Sequence, residues 1–346
     1  MKVMHVLSSK IYSGAEKVVC QIINSFREDP DIEMVYCGPE NENVRYMVGQ
    51  QGIELIPLEK MCAKEVRRVI EEQKPDLIHA HDMRASFNCA LACGRIPLVS
   101  HIHNNAYDAR GLSPKTVAYL LAGFKAKHIL WVSNSSYEGY AFHKFFAKKS
   151  SVLYNIIDTD QIFEKLAADE NSYDFDMIYV GRLTFQKDPQ RLMRLCARLK
   201  ESKPDLKAAI VGTGELEEEV KALCAELNIQ ENVHFLGFQS NPMKMVHDSK
   251  VMILTSRWEG TPMCALEAMA LGTPVVSTPS DGMTDLLDEG TNGYLTDDDA
   301  VMAEKLLCIM KDPQHRAFLG ENAKKKFNEI NDAPKYKQAI YDCYMR

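Results

Sequence analysis

Several features are missing from this chain of 346 residues, and each absence narrows what it can be. No stretch is long and apolar enough to span a bilayer, which argues against an integral membrane protein. The amino-terminal apolar run is too short for a signal peptide and soon turns polar. The ten cysteines contain no CxxC pair and are scattered, as expected of reduced thiols rather than a disulfide framework. Cys89 and Cys93, four apart, read as small core residues on one helix face. Basic residues are in deficit, with a formal net charge of −7, so a generic nucleic-acid surface is not expected. Neither GxGxxG nor GxxxxGK[ST] occurs, which withdraws support from a dinucleotide site and a P-loop. No short-period repeat is present, so a solenoid is excluded. These absences describe a cytoplasmic globular protein, with a peripheral place on the inner face of the cell membrane still open.

What is there alternates. Strand-like runs occupy 2–9, 33–38, 53–58, 77–81, 98–103, 128–133 and 151–155, then 175–181, 206–212, 233–237, 251–256, 273–278 and 293–296. Helical patterns separate them, which predicts an α/β fold with two parallel sheets built from βαβ units. The acidic stretch 164–176 reads as the linker between domains. The expected division is 1–165, 166–330 and a final helix over 331–346. Ligands of such sheets gather where strands end and helices begin, and chemically informative residues stand there. Arg182 and Lys187 follow one strand and could grip a diphosphate, the first as a planar fork and the second as a point charge. Gly212 and Gly214 follow the next, where the backbone can approach a ligand. Gly14 stands at a helix start after the first strand.

Residues 263–271 read MCALEAMAL, apolar except for Glu267. An unpaired carboxylate buried among such residues is costly. Thr261 is expected to cap this helix with Pro262 at its first position, and Gly272 to end it. Its amino end, around Met263 and Cys264, is then an anion site. Glu267 lies one turn on, placed to accept hydrogen bonds from vicinal hydroxyls such as those of a ribose.

With Glu259, this segment forms an E-x7-E pattern that resembles the signature of the family 4 GT-B glycosyltransferases, the group 1 type. Other pieces agree in order: SGAE at 13–16, HAHD at 79–82, HIHN at 101–104, VSNSS at 132–136, GRLTFQK at 181–187, VGTGE at 211–215, FLGF at 235–238 and TNGYL at 291–295. The similarity covers nearly the whole chain. It implies two Rossmann-like domains facing across a cleft, with the last helix returning to the N-terminal, acceptor-side domain. It further implies transfer of a sugar, with retention, from a nucleotide-diphosphate donor (a UDP-sugar first) to a glycan or lipid-linked acceptor in bacterial surface polysaccharide synthesis. Arg182 and Lys187 would neutralise the leaving diphosphate, and no cofactor or metal would be needed. Glu267 would hold the ribose, Phe238 would border the nucleotide, and Glu259 and His103 would meet the donor sugar. Backbone N–H groups near Gly14 and over Thr261–Cys264 would complete the phosphate cradle. Two departures stand out: Asn155-Ile156-Ile157-Asp158 lacks the usual glycine, and Asp281 replaces the first glycine of a pair before Asp285.

Other readings remain open. His79/His81 and His101/His103 are HxH pairs at strand ends, and each could offer two imidazoles to one metal, with Asp82 and Asp108 as the nearby acids; that would suit a zinc or iron hydrolase. A GT-B sugar-nucleotide epimerase or hydrolase, and a non-catalytic subunit of a glycan-assembly complex, would share the fold. Residues 113–150 hold six lysines against one acid, Glu138, with aromatics interleaved. This segment could touch anionic lipid, or it could be a solvated face over an aromatic core.

Overall fold

The structure, a computed structural model, describes residues 1–103 and 109–346. Contacts divide the chain into unit 1, Met1–Ile156 with Asp332–Arg346, and unit 2, Ile157–Asn331.

Unit 1 is a parallel sheet of β1 (Lys2–Val6), β2 (Glu33–Pro39), β3 (Leu55–Leu58), β4 (Leu77–Ala80), β5 (Leu98–Ile102), β6 (His128–Trp131) and β7 (Ser150–Val152), in the order β3-β2-β1-β4-β5-β6-β7. Unit 2 repeats the scheme with β8 (Met177–Val180), β9 (Ala208–Val211), β10 (Val233–Gly237), β11 (Met252–Leu254), β12 (Val275–Ser277) and β13 (Gly293–Leu295), in the order β10-β9-β8-β11-β12-β13. The strand order reverses between β1 and β4, and again between β8 and β11. Crevices outside the carboxyl ends of strands at such reversals are where open α/β sheets bind ligands.

Central strands such as β4 and β9 are buried along their whole length, as helices on both faces require. In the helix Pro189–Ser202, Leu192, Met193, Leu195, Cys196 and Leu199 bury one stripe against the unit 2 sheet. That helix starts where Asp188 accepts a hydrogen bond from the Arg191 amide and proline takes the first turn. The helix Met263–Leu271 is buried nearly all round, Glu267 included. It ends at Gly272, whose φ of +77° is the left-handed cap conformation. All ten cysteines are free, and Cys89 and Cys93 are both buried.

The expected linker lies too late in the chain. Thr159–Ala167 is a helix of unit 2, capped by Asp158, with Ile162 buried and contacts to the helix Met243–Asp248. The two chain crossings are tied together inside unit 2: the Ile157 amide donates to Asn331 Oδ1 (2.8 Å), and Asn331 Nδ2 donates to the Ile157 carbonyl (3.1 Å). The units therefore part at 156/157 and not at 165/166. Ile162 is the one fully buried residue of its nine. The final helix, Ala333–Met345, packs into unit 1, where the Tyr344 hydroxyl meets His79 Nδ1 at 2.7 Å and Lys337 lies over the Phe26 ring. No described helix is long and apolar enough to cross a membrane.

Candidate active site

At the reversal point of unit 2, the loops leaving β8 and β11 are joined by several hydrogen bonds. The Arg257 amide donates to the Gln186 carbonyl (2.8 Å), Gln186 Nε2 donates to the Trp258 carbonyl (2.9 Å), and Arg257 Nε donates to the Phe185 carbonyl (3.1 Å). Thr255 Oγ1 reaches the carbonyls of Lys187 and Asp188 at 3.0 and 3.1 Å. Arg257 pairs with Asp188 at 2.9 Å while its guanidinium lies over the Phe185 ring.

That framework brings Lys187 onto Glu259, with Nζ 2.5 Å from Oε1. Ser256 Oγ donates to the same oxygen at 2.5 Å, and Ser256 is itself held through its carbonyl by the Thr278 hydroxyl at 2.6 Å. Burial disfavours the Lys187 ammonium, but the Glu259 carboxylate outweighs it and holds the pKa above the ordinary lysine value. The Arg182 charge also acts on Lys187, so the two cations share one field. Arg182 itself is exposed on the β8 loop, while Glu259 is 4% and Glu267 5% exposed. Both contacts to Glu259 fall on Oε1, which leaves Oε2 clear of them.

The helix Met263–Leu271 begins beside this pair, and Cys264 is near enough to influence both Lys187 and Tyr179. Here the expectation needs correction. Thr261 is not the cap position and Pro262 is not the first helical residue: Pro262 is the cap position, in extended conformation, and makes no side-chain cap hydrogen bond. Proline has no side-chain acceptor for the first-turn amides, and the amino end of a helix favours anions. The 281–282 turn presses against the same loop: a Cβ on Gly282 would overlap the Gly260 carbonyl oxygen, and Asp281 is held at φ +33°. That is how Asp281 is accommodated where a glycine was expected.

Gly212 and Gly214 have a structural explanation. A Cβ on Gly212 would stand 2.0 Å from the Gly181 carbonyl oxygen, and one on Gly214 2.2 Å from that of Leu183. The two strand-end loops pack backbone to backbone, and the Leu183 amide donates to the Thr213 carbonyl at 3.0 Å. Phe238 follows β10 and is largely exposed.

Gly14 and His103 belong to unit 1. Gly14 opens the helix Gly14–Ser25, where the Ser13 amide and hydroxyl both donate to Glu16 Oε2 at 2.8 Å. His103 sits in a cluster with His5, His79, His81 and His101, and its Nε2 lies 3.0 Å from His81 Nδ1. The sequence reading gave the two HxH pairs but missed His5, which only the β1–β4 register places beside His79. It also missed Ser256 and Thr278, whose hydroxyls carry no recognisable spacing. Asn104 and Asp108 lie outside the described residues. In 113–150, Tyr119, Trp131, Tyr140 and Phe146 form core, whereas Phe124 and Phe145 are 60% and 67% exposed.

Comparison with known proteins agrees with this architecture. The family model "Glycosyl transferases group 1" matches residues 158–326, and "Glycosyltransferase Family 4" matches 12–161. An uncharacterised glycosyltransferase of Methanocaldococcus jannaschii is 30% identical over 62% of this chain and 58% of its own length. A Campylobacter jejuni enzyme, N-acetylgalactosamine-N,N'-diacetylbacillosaminyl-diphospho-undecaprenol 4-alpha-N-acetylgalactosaminyltransferase, is 34% identical over 55% of this chain and 53% of its own. The matches thus span little more than half of these two relatives. The crystal structure of Anabaena Alr3699/HepE in complex with UDP-glucose superposes with a TM-score of 0.87 at 22% identity, covering 100% of this chain and 99% of that one. With two such sheets and both family models matched in order along the sequence, the chain belongs to the group 1, family 4 glycosyltransferases and has the GT-B fold.

Proposed function

We propose that this protein transfers a sugar from a nucleotide-diphosphate donor, a UDP-sugar first, to an acceptor hydroxyl with retention of configuration, in the synthesis of a bacterial surface glycan. The observation that carries the reading is the Lys187–Glu259 ion pair, with Glu259 buried, beside the start of the helix Met263–Leu271 at the carboxyl edge of the β8/β11 reversal. A lysine ammonium has three donors; with one on Glu259, the others can meet a diphosphate together with Arg182 and the first-turn amides. These groups would stabilise charge developing on the leaving diphosphate, the role that preorganised dipoles and cations fill best in a water-poor site. Glu259 Oε2 would then face the donor sugar, as nucleophile or as positioner, with His103 assigned to the same sugar from unit 1. Glu267 takes the ribose hydroxyls and Phe238 borders the base. The UDP-glucose bound by the Anabaena structure supports the donor class.

For the acceptor, a lipid-linked glycan fits an apolar hollow in unit 1 lined by Phe87, Leu112, Pro114, Val117 and Leu121. Exposed Phe124 and Phe145, with Lys115, Lys144 and Lys148, extend that face as a peripheral contact with anionic lipid. The diphospho-undecaprenol named for the Campylobacter relative is in keeping with this.

The test is a thermal-shift series with UDP, GDP, ADP, CDP and dTDP on the whole protein, repeated on Arg182→Ala and Glu267→Ala. One diphosphate should raise Tm, by a stabilisation of about 2.7 kcal/mol at a hundredfold excess over its Kd, and both variants should lose the effect. No response from well-folded protein to any of the five would remove the donor assignment. Following labelled sugar then separates transfer to an added acceptor from release into water, which a hydrolase would give.

A further inference from the structure

Burying imidazoles is an expensive way to fill a core, yet unit 1 buries four, His5, His79, His81 and His101, in contact with one another and with a fifth, the half-buried His103. His5 and His79 are register partners on β1 and β4, His81 and His101 follow on the ends of β4 and β5, and His103 completes the row. Neighbouring rings stack with centroids 4.1 to 5.5 Å apart. Four of their nitrogens are buried without a hydrogen-bond partner among the described residues: His79 Nε2, both nitrogens of His101, and His103 Nδ1. Each such group is destabilising when left unsatisfied, and a concentration of them in one place calls for an explanation.

The hydrogen bonds indicate which lone pairs face inward. His5 Nε2 lies 3.3 Å from Met34 Sδ, and a thioether can only accept, so His5 carries its proton on Nε2. Its Nδ1 is then an acceptor, 2.8 Å from His81 Nε2, which must be the protonated nitrogen of that ring. His81 Nδ1 is left as a lone pair directed at His103 Nε2, 3.0 Å away. That is the state in which a histidine binds a metal, with the remote N–H anchored on a second residue.

We infer that His81, His101 and His103 form a binding site for a first-row divalent cation of the zinc type, inside unit 1. One ligand nitrogen from each of the three lies within 4.8 Å of the others. Zinc–imidazole bonds of about 2.0–2.1 Å place tetrahedral donors roughly 3.3 Å apart, so the His81–His103 edge is already close and small ring rotations bring in His101. A metal on His103 Nε2 would shift that ring's proton to Nδ1. The other conceivable trio, His5, His79 and His81, is less suited, because both nitrogens of His5 and one of His79 are engaged. Three neutral ligands leave a fourth position for hydroxide or another anion, which offsets the charge of the ion. His103 is also the residue assigned to the donor sugar from unit 1, so the two readings share that ring; cobalt binding is measured without donor and diphosphate binding is read through Arg182 and Glu267 of unit 2, so the two can fail separately.

Cobalt titration of the untagged, chelator-stripped whole protein tests it. One equivalent of Co2+ should bind and develop the intense visible d–d bands of a four-coordinate ion, and Zn2+ should displace it. His101→Gln should bind at least about 100-fold more weakly, and His5→Leu, which removes only the anchor of His81, about 10–100-fold more weakly. His315→Gln, in unit 2 and hydrogen-bonded to Tyr294, should bind as wild type does. Absence of stoichiometric bands in folded wild type would overturn the inference and leave ordered water as the occupant. Binding unchanged in His101→Gln and His5→Leu would overturn it equally. Because the wild-type titration needs no variant, a His101→Gln protein that fails to fold does not rescue the idea.

Discussion

At Lys187 two opposed effects meet: burial favours the neutral amine, and Glu259 favours the ammonium more strongly. Removing the cation alone, as in Lys187→Met, leaves a carboxylate buried without its partner, and such a loss costs about 3–5 kcal/mol. Denaturant unfolding should show a drop of that size, whereas Lys187→Met combined with Glu259→Gln should recover much of it, because the uncompensated charge is gone. Glu16 is the converse case. Burial pushes its carboxyl above the ordinary value of 4.5, against the hydrogen bonds from Ser13. The folded state then holds the proton more tightly than the unfolded chain, so the stabilisation is full below pH 4.5 and is lost as pH rises through the folded value. Glu16→Gln keeps an acceptor for Ser13 and cannot ionise. Its stability relative to wild type should therefore be greater at pH 7 than at pH 4, and an equal difference at both would refute the argument.

Among the elements, the strand-end loops decide how the site is built. The 181–183 and 212–214 loops touch backbone to backbone, so Gly214→Ala must displace the Leu183 carbonyl. A loss of about 1–3 kcal/mol is expected, typical of overpacking, together with weaker diphosphate binding as the Arg182 loop shifts. Differential unfolding with and without UDP measures both. On the face built from 112–149, Phe145 and Phe124 are exposed and flanked by lysines. Phe145→Ser should reduce sedimentation with vesicles containing anionic lipid while leaving Tm unchanged, since its ring is not core; binding equal to wild type would remove this face from the membrane reading. Sequence patterning could not separate these two rings from Tyr119, Trp131, Tyr140 and Phe146, which alternate with them in the same segment yet form the core.

For the whole molecule, unit 2 is a continuous segment with its own sheet and its own apolar core, including Tyr179, Leu192, Ile210 and Ile253. Residues 157–331 expressed alone should fold and retain the diphosphate-induced rise in Tm, because Arg182, Lys187, Glu259 and Glu267 all lie within them; a folded unit 2 without that response would show that residues of unit 1 are indispensable to the phosphate site. From the sequence by itself came the α/β class, all thirteen strands, the family and the candidate site residues after the strands, since strand and helix periods, turn residues and motif order are local signals. The tertiary structure alone decided that the chain passes between the units at 156/157, that Ser256 and Thr278 brace Glu259, and that His5 joins two HxH pairs. The Thr278–Ser256 bond, the Ile157–Asn331 pair and the His5–His79 register join residues far apart in the chain, and linear spacing does not encode such pairings.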